Sequence, residues 1–340
     1  MVTLGKTGIV SPQNAFGALP IQRVDMETAK EILMTAYEGG MRYFDTARAY
    51  TDSEEKIGNT FKGMREKIYI ATKTMSKTPE DFWKDLETSL KLLQTDYIDV
   101  YQFHCADVVY APGDGFGMYE CMLKAKEEGK IRHIGITAHK IGIAEDAVKS
   151  GLYETLQFPF SYISGEREKA LVKLCAEHNV GFVCMKGLAG GLITNSKAAM
   201  AFTAEYPNAL PIWGIQKMSE LKEWLSYMDN VPKMTDEIKA FIEKERKELS
   251  GNFCRSCGYC MPCPVGITIN QCARMSLMLR RAPSKLWLTD YWQAEMKKIE
   301  NCLHCNKCMS YCPYELNTPE LLAKNYEDYK KVLAGEVKVQ

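Results

Sequence analysis

Four side chains in this sequence have the right chemistry to move a proton to or from a carbonyl oxygen. Asp45 and Tyr50 stand five residues apart in Arg42–Tyr50 (RYFDTARAY), Lys73 closes the run IYIAT, and His104 closes IDVYQF. A tyrosine hydroxyl normally titrates near pH ~10 and is a slow proton donor at neutrality. A neighbouring ammonium, Lys73, itself held by Asp45, is expected to favour the phenolate and lower that value. His104 would then hydrogen-bond a substrate carbonyl and aim it at Tyr50 while a hydride arrives. Any one of the four is ordinary alone, as a cap, a solvated strand end or a core histidine. All four at the ends of consecutive strand-like runs point instead to a working site.

The second set of chemistry-bearing residues is sulfur. Of thirteen cysteines, eight fall in two tight groups, Cys254–Cys263 and Cys302–Cys312. The second reads Cys302-x2-Cys305-x2-Cys308-x3-Cys312-Pro313, the spacing of a bacterial two-cluster ferredoxin. The first, Cys254-x2-Cys257-x2-Cys260-x2-Cys263-Pro264, is one residue shorter. In such runs three cysteines wrap one cluster and the Cys-Pro thiolate ligates the other. The expected ligand sets are therefore Cys254, Cys257, Cys260 and Cys312 for one [4Fe–4S] cluster, and Cys302, Cys305, Cys308 and Cys263 for the second. Structural zinc is the competing reading, but it has no use for a third CxxC step followed by Cys-Pro. Cys272 reads as a buried thiol, as do Cys121, Cys175 and Cys184, whereas Cys105, beside His104, is placed to meet substrate.

The elements that must hold these residues alternate along the chain. Leu4-Gly5-Lys6-Thr7-Gly8 reads as a hairpin and Asn14–Leu19 as a first strand. Ala29, Ile32, Leu33, Ala36 and Tyr37 then recur at helical spacing, with Gly39-Gly40 as the stop. Thr78-Pro79 starts a further helix with an N-cap and a proline at N1, and its stripe is Phe82, Leu86, Leu90 and Leu93. Later elements are a helix over Met118–Glu128, a strand over Ile131–Thr137, a helix near Ile143–Lys149, and a strand at Glu154–Phe158. A helix around Arg167–His178 is expected to face the core with Ala170, Leu171, Leu174 and Cys175. Gly181–Met185, the glycine-rich Lys186–Gly191, the strand Leu210–Ile215 and the helix Ser219–Tyr227 complete the series. Eight βα units in about 230 residues give an α/β protein with a (β/α)8 barrel, whose active site sits at the strand C-termini. An open doubly wound sheet would need a glycine fingerprint after the first strand, and none is there. The boundary is expected at 234/235, with 1–234 as barrel and 235–340 as a mostly helical ferredoxin-like domain.

Lysine plus arginine equal aspartate plus glutamate, 43 against 43, which leaves no basic footprint for nucleic acid. No apolar run reaches membrane-spanning length and Met1–Val10 has no signal-peptide core, so a cytoplasmic protein is expected.

Leu4–Gly8, Phe44-Asp45-Thr46-Ala47 with Tyr50, Ser53-Glu54-Glu55, Ala71-Thr72-Lys73, Gln102-Phe103-His104 and Glu128–Gly135 together resemble the aldo-keto reductase family. The resemblance covers roughly Met1–Tyr227, and over the entire chain the best likeness is to a subgroup ending in a ferredoxin-like domain. It implies that Asp45, Tyr50, Lys73 and His104 are the catalytic tetrad, and that NAD(P)H lies extended across the strand C-termini to reduce a small carbonyl compound or oxidise an alcohol. It also implies cofactor contacts at Thr137, His139, Gln157, Lys186, Gly187, Gly190, Gly214, Gln216 and Lys217. Some of these depart from the family pattern. Thr137-Ala138-His139 stands where the family has Ser-Asn, and no aromatic follows the seventh strand. Trp224 replaces the closing asparagine, and Glu220 replaces the arginine that meets the 2′-phosphate. A flavin in the same trough is the alternative hydride source, since clusters pass single electrons and nicotinamide does not. An electron-carrier protein is the expected partner if the clusters take part in turnover. Two alternatives remain open: a plain NAD(P)H reductase with structural or oxygen-sensing clusters, and a barrel that no longer does chemistry.

Overall fold

The computed structural model describes residues 1–249, 253–281 and 284–339. The chain divides into two compact units, Met1–Gly187 with Asn195–Ile242, and Leu188–Thr194 with Glu243–Gln340. Among the described residues no helix is long and apolar enough to cross a membrane.

The first unit opens with a hairpin of β1 (Val2–Thr3) and β2 (Val10–Ser11). Eight parallel strands follow: β3 (Ala15–Gly17), β4 (Tyr43–Asp45), β5 (Tyr69–Thr74), β6 (Ile98–Phe103), β7 (Ile131–Thr137), β8 (Thr155–Pro159), β9 (Gly181–Met185) and β10 (Ala209–Gly214). They pair in chain order, and β10 closes the barrel on β3. The connecting helices are α1 (Met26–Glu38), α2 (Ser53–Thr60), α3 (Pro79–Leu93), α4 (Met118–Glu127), α5 (Ile141–Lys149), α6 (Glu166–Glu177) and α7 (Ser196–Ala204), with α8 (Met218–Leu225) after β10. The fold is thus the (β/α)8 barrel read from the sequence, and the open sheet is excluded.

Alternation along each strand decides what faces inward. Ala15, Tyr43, Ala71, Val100, Val183, Leu210 and Ile212 form one interior cluster with Val2, Leu4 and Ile9 of the hairpin. The hairpin therefore plugs the end where the strands begin. Gly5 makes this possible: it holds φ +50°, and a Cβ there would lie 2.4 Å from the Gly181 nitrogen. Two residues further along the same inward rows come Asp45, Lys73 and Gln102, so the register that fills the floor with hydrophobes also puts polar groups at the rim.

Thr78 caps α3 by accepting from the Asp81 N–H, and Phe82, Leu86, Leu90 and Leu93 are all buried. In α6 the buried face is Leu171, Val172 and Cys175; Ala170 is exposed and Leu174 only half-buried, contrary to expectation. The helix turns about 100° per residue, and a face centred on Leu171 and Cys175 takes in Val172 before Ala170. Helix α7 was not expected at all. Every residue from Ala198 to Thr203 is buried, so it has no polar face to give it a period.

The second unit is helical. It takes the end of α9 (Asp236–Glu248), then α10 (Ile269–Cys272), α11 (Met275–Arg281), α12 (Asp290–Lys297), α13 (Lys307–Ser310) and α14 (Thr318–Leu333). Helix α14 is the spine, packing on the four short helices before it. Asn317 caps it, its side chain accepting from the Glu320 N–H. Asn325 joins it to the α10–α11 turn, accepting from Ser276 N–H at 2.8 Å and donating to Ala273 O at 3.2 Å.

Candidate functional site

Asp45 ends β4, Tyr50 lies in the turn before α2, Lys73 is the next-to-last residue of β5, and His104 immediately follows β6. The structure brings all four together. Lys73 Nζ donates to Asp45 Oδ1 and to Thr46 O, each at 2.6 Å, with both side chains out of solvent. That ammonium lies 5.2 Å from the Tyr50 ring centroid. The Tyr50 and His104 rings meet edge to face at 5.7 Å and 82°. Gln102, which faces inward beside Lys73 in the strand register, donates weakly to Asp45 Oδ2 at 3.4 Å and to Gln157 Oε1 at 3.3 Å. Gly135 leaves it the room, since a Cβ there would meet the Gln102 side chain at 2.8 Å. Gln102 carried no role in the sequence reading. Its signal was there, two residues before His104 on the inward row.

Electrostatics reverse one expectation. Burial, then the electrostatic effect of Asp45 and Cys105, push the Tyr50 phenol up rather than down. Lys73 does not offset this, its ammonium being already hydrogen-bonded to Asp45. Burial likewise moves Asp45 up and Lys73 down, and the contact between them opposes both shifts. Tyr50 therefore rests as an intact phenol. Burial, with Lys73 nearby, holds the His104 imidazole down at about 3, so it is neutral across the physiological range. Its Nδ1 is buried without a hydrogen-bond partner among the described residues.

The depressed histidine makes an acid-stability prediction. Between about 6.5, the ordinary value, and about 3 the unfolded chain protonates this imidazole and the folded chain does not. Stability therefore falls as pH drops through that window. Urea denaturation between pH 7 and 4 should show a shallower acid decline for His104→Gln; an unchanged slope would assign the decline elsewhere.

The remaining candidate residues ring the same mouth with one exception. Thr137 is buried and its hydroxyl accepts from the Cys105 N–H at 2.7 Å, holding Cys105 at φ +54°. His139 is buried, and burial, then Lys186 and His104, keep its imidazole well below the usual range. Gln157 donates weakly to Asp45 Oδ1 at 3.5 Å. Gly187 lies against the Trp213 ring, where a Cβ would come within 2.5 Å, and Trp213 stacks on Trp224 at 3.9 Å and 7°. Gly214 follows Trp213 at the end of β10, and the N–H groups of Gln216 and Lys217 both donate to the Glu220 carboxylate, at 2.9 and 3.0 Å. Gly190 is the exception. It belongs to the second unit, where its carbonyl accepts from Arg274. Beside His104 a cavity of about 650 Å³ is lined by Cys105, Tyr110 and Phe116 among others, so the loop 107–117 walls it. Arg23, at the exposed rim, reaches Gln216 Oε1 at 3.5 Å.

In the second unit two adjoining cavities hold the eight grouped cysteines. One is lined by Cys254, Cys257, Cys260, Cys308 and Cys312. The other is lined by Cys260, Cys263, Cys302, Cys305 and Cys308. Cys260 and Cys308 stand between the two. Buried thiols there are held up by burial, with other cysteines adding to the effect at Cys254, Cys260 and Cys308. Such crowding is relieved when the sulfurs ligate a cationic centre. Cys272 is fully buried with its thiol toward Glu295 O, outside both cavities. Arg274 is 2 % exposed and has no carboxylate partner among the described residues; it donates to Ala189 O and Gly190 O.

Residues 13–209 match the aldo/keto reductase family, and residues 253–317 match a 4Fe-4S dicluster domain. Among curated proteins, aldo-keto reductase YhdN of Bacillus subtilis is 28% identical over 224 residues, 62% of this chain and 66% of that protein. L-galactose dehydrogenase of Arabidopsis thaliana is 29% identical over 214 residues, 56% of this chain and 66% of that protein. The chain thus spans about two thirds of the length of these relatives. Among solved structures, the holo form of an aldo-keto reductase from Bacillus halodurans shares the fold at TM-score 0.63 and 22% identity, covering 72% of this chain and 95% of that one. An aldo-keto reductase from Klebsiella pneumoniae in complex with NADPH does so at TM-score 0.60 and 20% identity, covering 72% and 95%.

Proposed function

The chain belongs to the aldo/keto reductase family, and from that premise we propose that this oxidoreductase interconverts a small carbonyl compound and its alcohol, with Tyr50 exchanging the proton and two [4Fe–4S] clusters serving the reaction. The observation that carries the reading is the Asp45–Lys73 pair set beneath the Tyr50 ring with His104 edge-on to it. In the reducing direction the carbonyl gains a hydride on carbon and a proton on oxygen. NAD(P)H, when bound, supplies the hydride.

What the chain itself does follows from its resting states. Tyr50, kept as a phenol, is an acid ready to give its proton only as negative charge builds on the substrate oxygen. The Lys73 ammonium is immobile and dry, so it stabilises the phenolate left behind without reorganising. Asp45 and the Thr46 carbonyl fix that ammonium, and Gln102 and Gln157 complete the shell around the carboxylate. His104, neutral and with Nδ1 unspent, orients the carbonyl oxygen toward the phenol. The cavity beside it, walled by Tyr110 and Phe116, receives the rest of the substrate.

The barrel rim fits the reactive end of a dinucleotide better than its far end. Thr137 and Gln157 offer a hydroxyl and an amide beside the tetrad, and Gly187 leaves backbone open against Trp213. At the start of α8 the two N–H groups that would meet a phosphate are already satisfied by the Glu220 carboxylate. Two anions cannot share that helix end. NADH is accordingly the preferred donor. The test is anaerobic turnover of an aldehyde series with each dinucleotide, following both its oxidation and alcohol formed. We expect equal amounts of both, a preference for NADH, and a gain of about tenfold in NADPH affinity for Glu220→Arg. A flavin-linked version of the reaction would instead show flavin bands in the isolated protein and no direct dinucleotide oxidation.

The two cysteine cavities suit two clusters in donor chemistry. Cys254, Cys257, Cys260 and Cys312 would hold one, and Cys302, Cys305, Cys308 and Cys263 the other, with the Cys-Pro thiolate of each run ligating across.

A further inference from the structure

We propose that the surface around Cys305 is a docking site for a small, acidic one-electron carrier protein, and that the second cluster takes electrons through it. The proposal rests on the reading that Cys302, Cys305, Cys308 and Cys263 hold a [4Fe–4S] cluster.

Of the thirteen cysteines, Cys305 is the one in the exposed class. A structural cluster gains nothing from a ligand in solvent, where oxygen reaches it and water replaces the packing around its sulfur. Exposure makes sense for a cluster that must pass electrons to another molecule. The backbone is shaped to produce it. His304 and Asn306, on either side, hold φ of +49° and +58°, a left-handed conformation that side chains other than glycine seldom adopt. The strain is concentrated on the two residues that turn Cys305 outward.

The surroundings carry the marks of a transient interface. Leu303 is 65% exposed, Tyr311 55% and Met309 42%, three large apolar groups within nine residues of chain. A solvated segment of this size rarely keeps so many together unless something covers them in use. Methionine and tyrosine also adapt to more than one partner at low ordering cost.

Charge selects the partner. Between Lys297 and Tyr311 there are three lysines and one histidine against one acid, Glu300, in a chain whose net formal charge is zero. Lys298 is tied to Glu295, and Glu300 accepts from Tyr326. Lys297 and Lys307 are exposed with no carboxylate partner among the described residues, Lys307 lying 5.9 Å from the Tyr311 ring centroid. Glu320, whose neighbour Pro319 lines the same cavity, is engaged by Lys324 and Asn317. Within Lys297–Tyr311 the charges without an opposite partner among the described residues are thus Lys297 and Lys307 against Glu300, a net positive balance. A carrier ringed by carboxylates would be steered to it and held briefly, as turnover requires. The step is a single electron from the reduced carrier to a [4Fe–4S]2+ centre, giving the 1+ state and the oxidised carrier, with no bond made or broken.

The test uses the full-length protein prepared without oxygen, its iron and sulfide measured first. A reduced plant-type [2Fe–2S] ferredoxin, acidic and small, is mixed with it in a stopped-flow instrument and cluster bleaching is followed against salt. We expect the second-order rate to fall at least tenfold between about 0.05 and about 0.5 M salt. At low salt, Lys297→Glu/Lys307→Glu should lose about tenfold and Leu303→Ser several-fold, both retaining full bleaching by dithionite. Rates indifferent to salt and to these variants, with clusters present, overturn the docking proposal alone. A dimer that Leu303→Ser dissociates without slowing the carrier also overturns it and assigns the patch to a second copy of this chain. Protein lacking iron and sulfide would remove the cluster reading underneath.

Discussion

Tyr50→Phe lowers kcat/KM for carbonyl reduction by about 10² to 10⁴-fold while leaving dinucleotide binding and iron content unchanged, because the substitution removes one oxygen and nothing that packs. The ring keeps its edge-to-face contact with His104 and its place above Lys73. What disappears is the hydroxyl proposed to give its proton to a substrate oxygen held by His104. The pH profile makes the test specific. Burial and Asp45 hold the wild-type phenol protonated, so reduction should be flat through neutrality. Oxidation of the alcohol, which needs the phenolate, should rise with pH toward the alkaline limit. A tyrosine whose pKa had been lowered toward neutrality would instead give a reduction rate that declines above pH ~7. Steady-state rates in both directions from pH 6 to 10 decide between the two. Unimpaired reduction by Tyr50→Phe would take the tetrad assignment with it.

Cys312→Ala is expected to cut the iron content from about eight atoms per chain to about four, and the atoms lost should be those bound near the first run rather than the second. Its sulfur lines the cavity of Cys254, Cys257 and Cys260, although Cys302 and Cys305 of its own run line the other. Cys263→Ala should empty the opposite site. Resonance spectra of the two single variants, each with one cluster remaining, should therefore interchange relative to chain order. Stability should fall in both, since the second unit has a small apolar core and its crowded thiols have no other way to shed their cost. If each alanine empties the site nearest it in sequence, the crossed partition is wrong. If neither changes the iron content, Cys263 and Cys312 are not cluster ligands.

The sequence revealed the barrel through its rhythm. Floor residues such as Tyr43, Ala71 and Val100 sit two positions before Asp45, Lys73 and Gln102, so one inward row supplies both core and rim. What escaped it depended on surroundings rather than pattern. Helix α7 is apolar on every side and has no period. The anticipated face of α6 was off by a fraction of a turn, which only packing reveals. The direction of the Tyr50 shift was misread because proximity to Lys73 is visible in a motif, whereas burial and the prior claim of Asp45 on that charge are not. Glu220 was noticed as the wrong residue for a phosphate. That its carboxylate caps the backbone at Gln216 and Lys217 emerged only in three dimensions.

Leu188–Thr194 is the feature with the widest reach. The chain leaves β9, spends seven residues in the company of Arg274 and Arg281, and returns to α7. On the ribosome that heptapeptide emerges long before either arginine exists. The Ala189, Gly190 and Leu192 carbonyls must wait for donors encoded some eighty residues downstream. Ordering of the segment after β9 is thereby coupled to synthesis of the stretch that carries Arg274 and Arg281. A stop codon after Ile242 would leave the Ala189, Gly190 and Leu192 carbonyls without these donors.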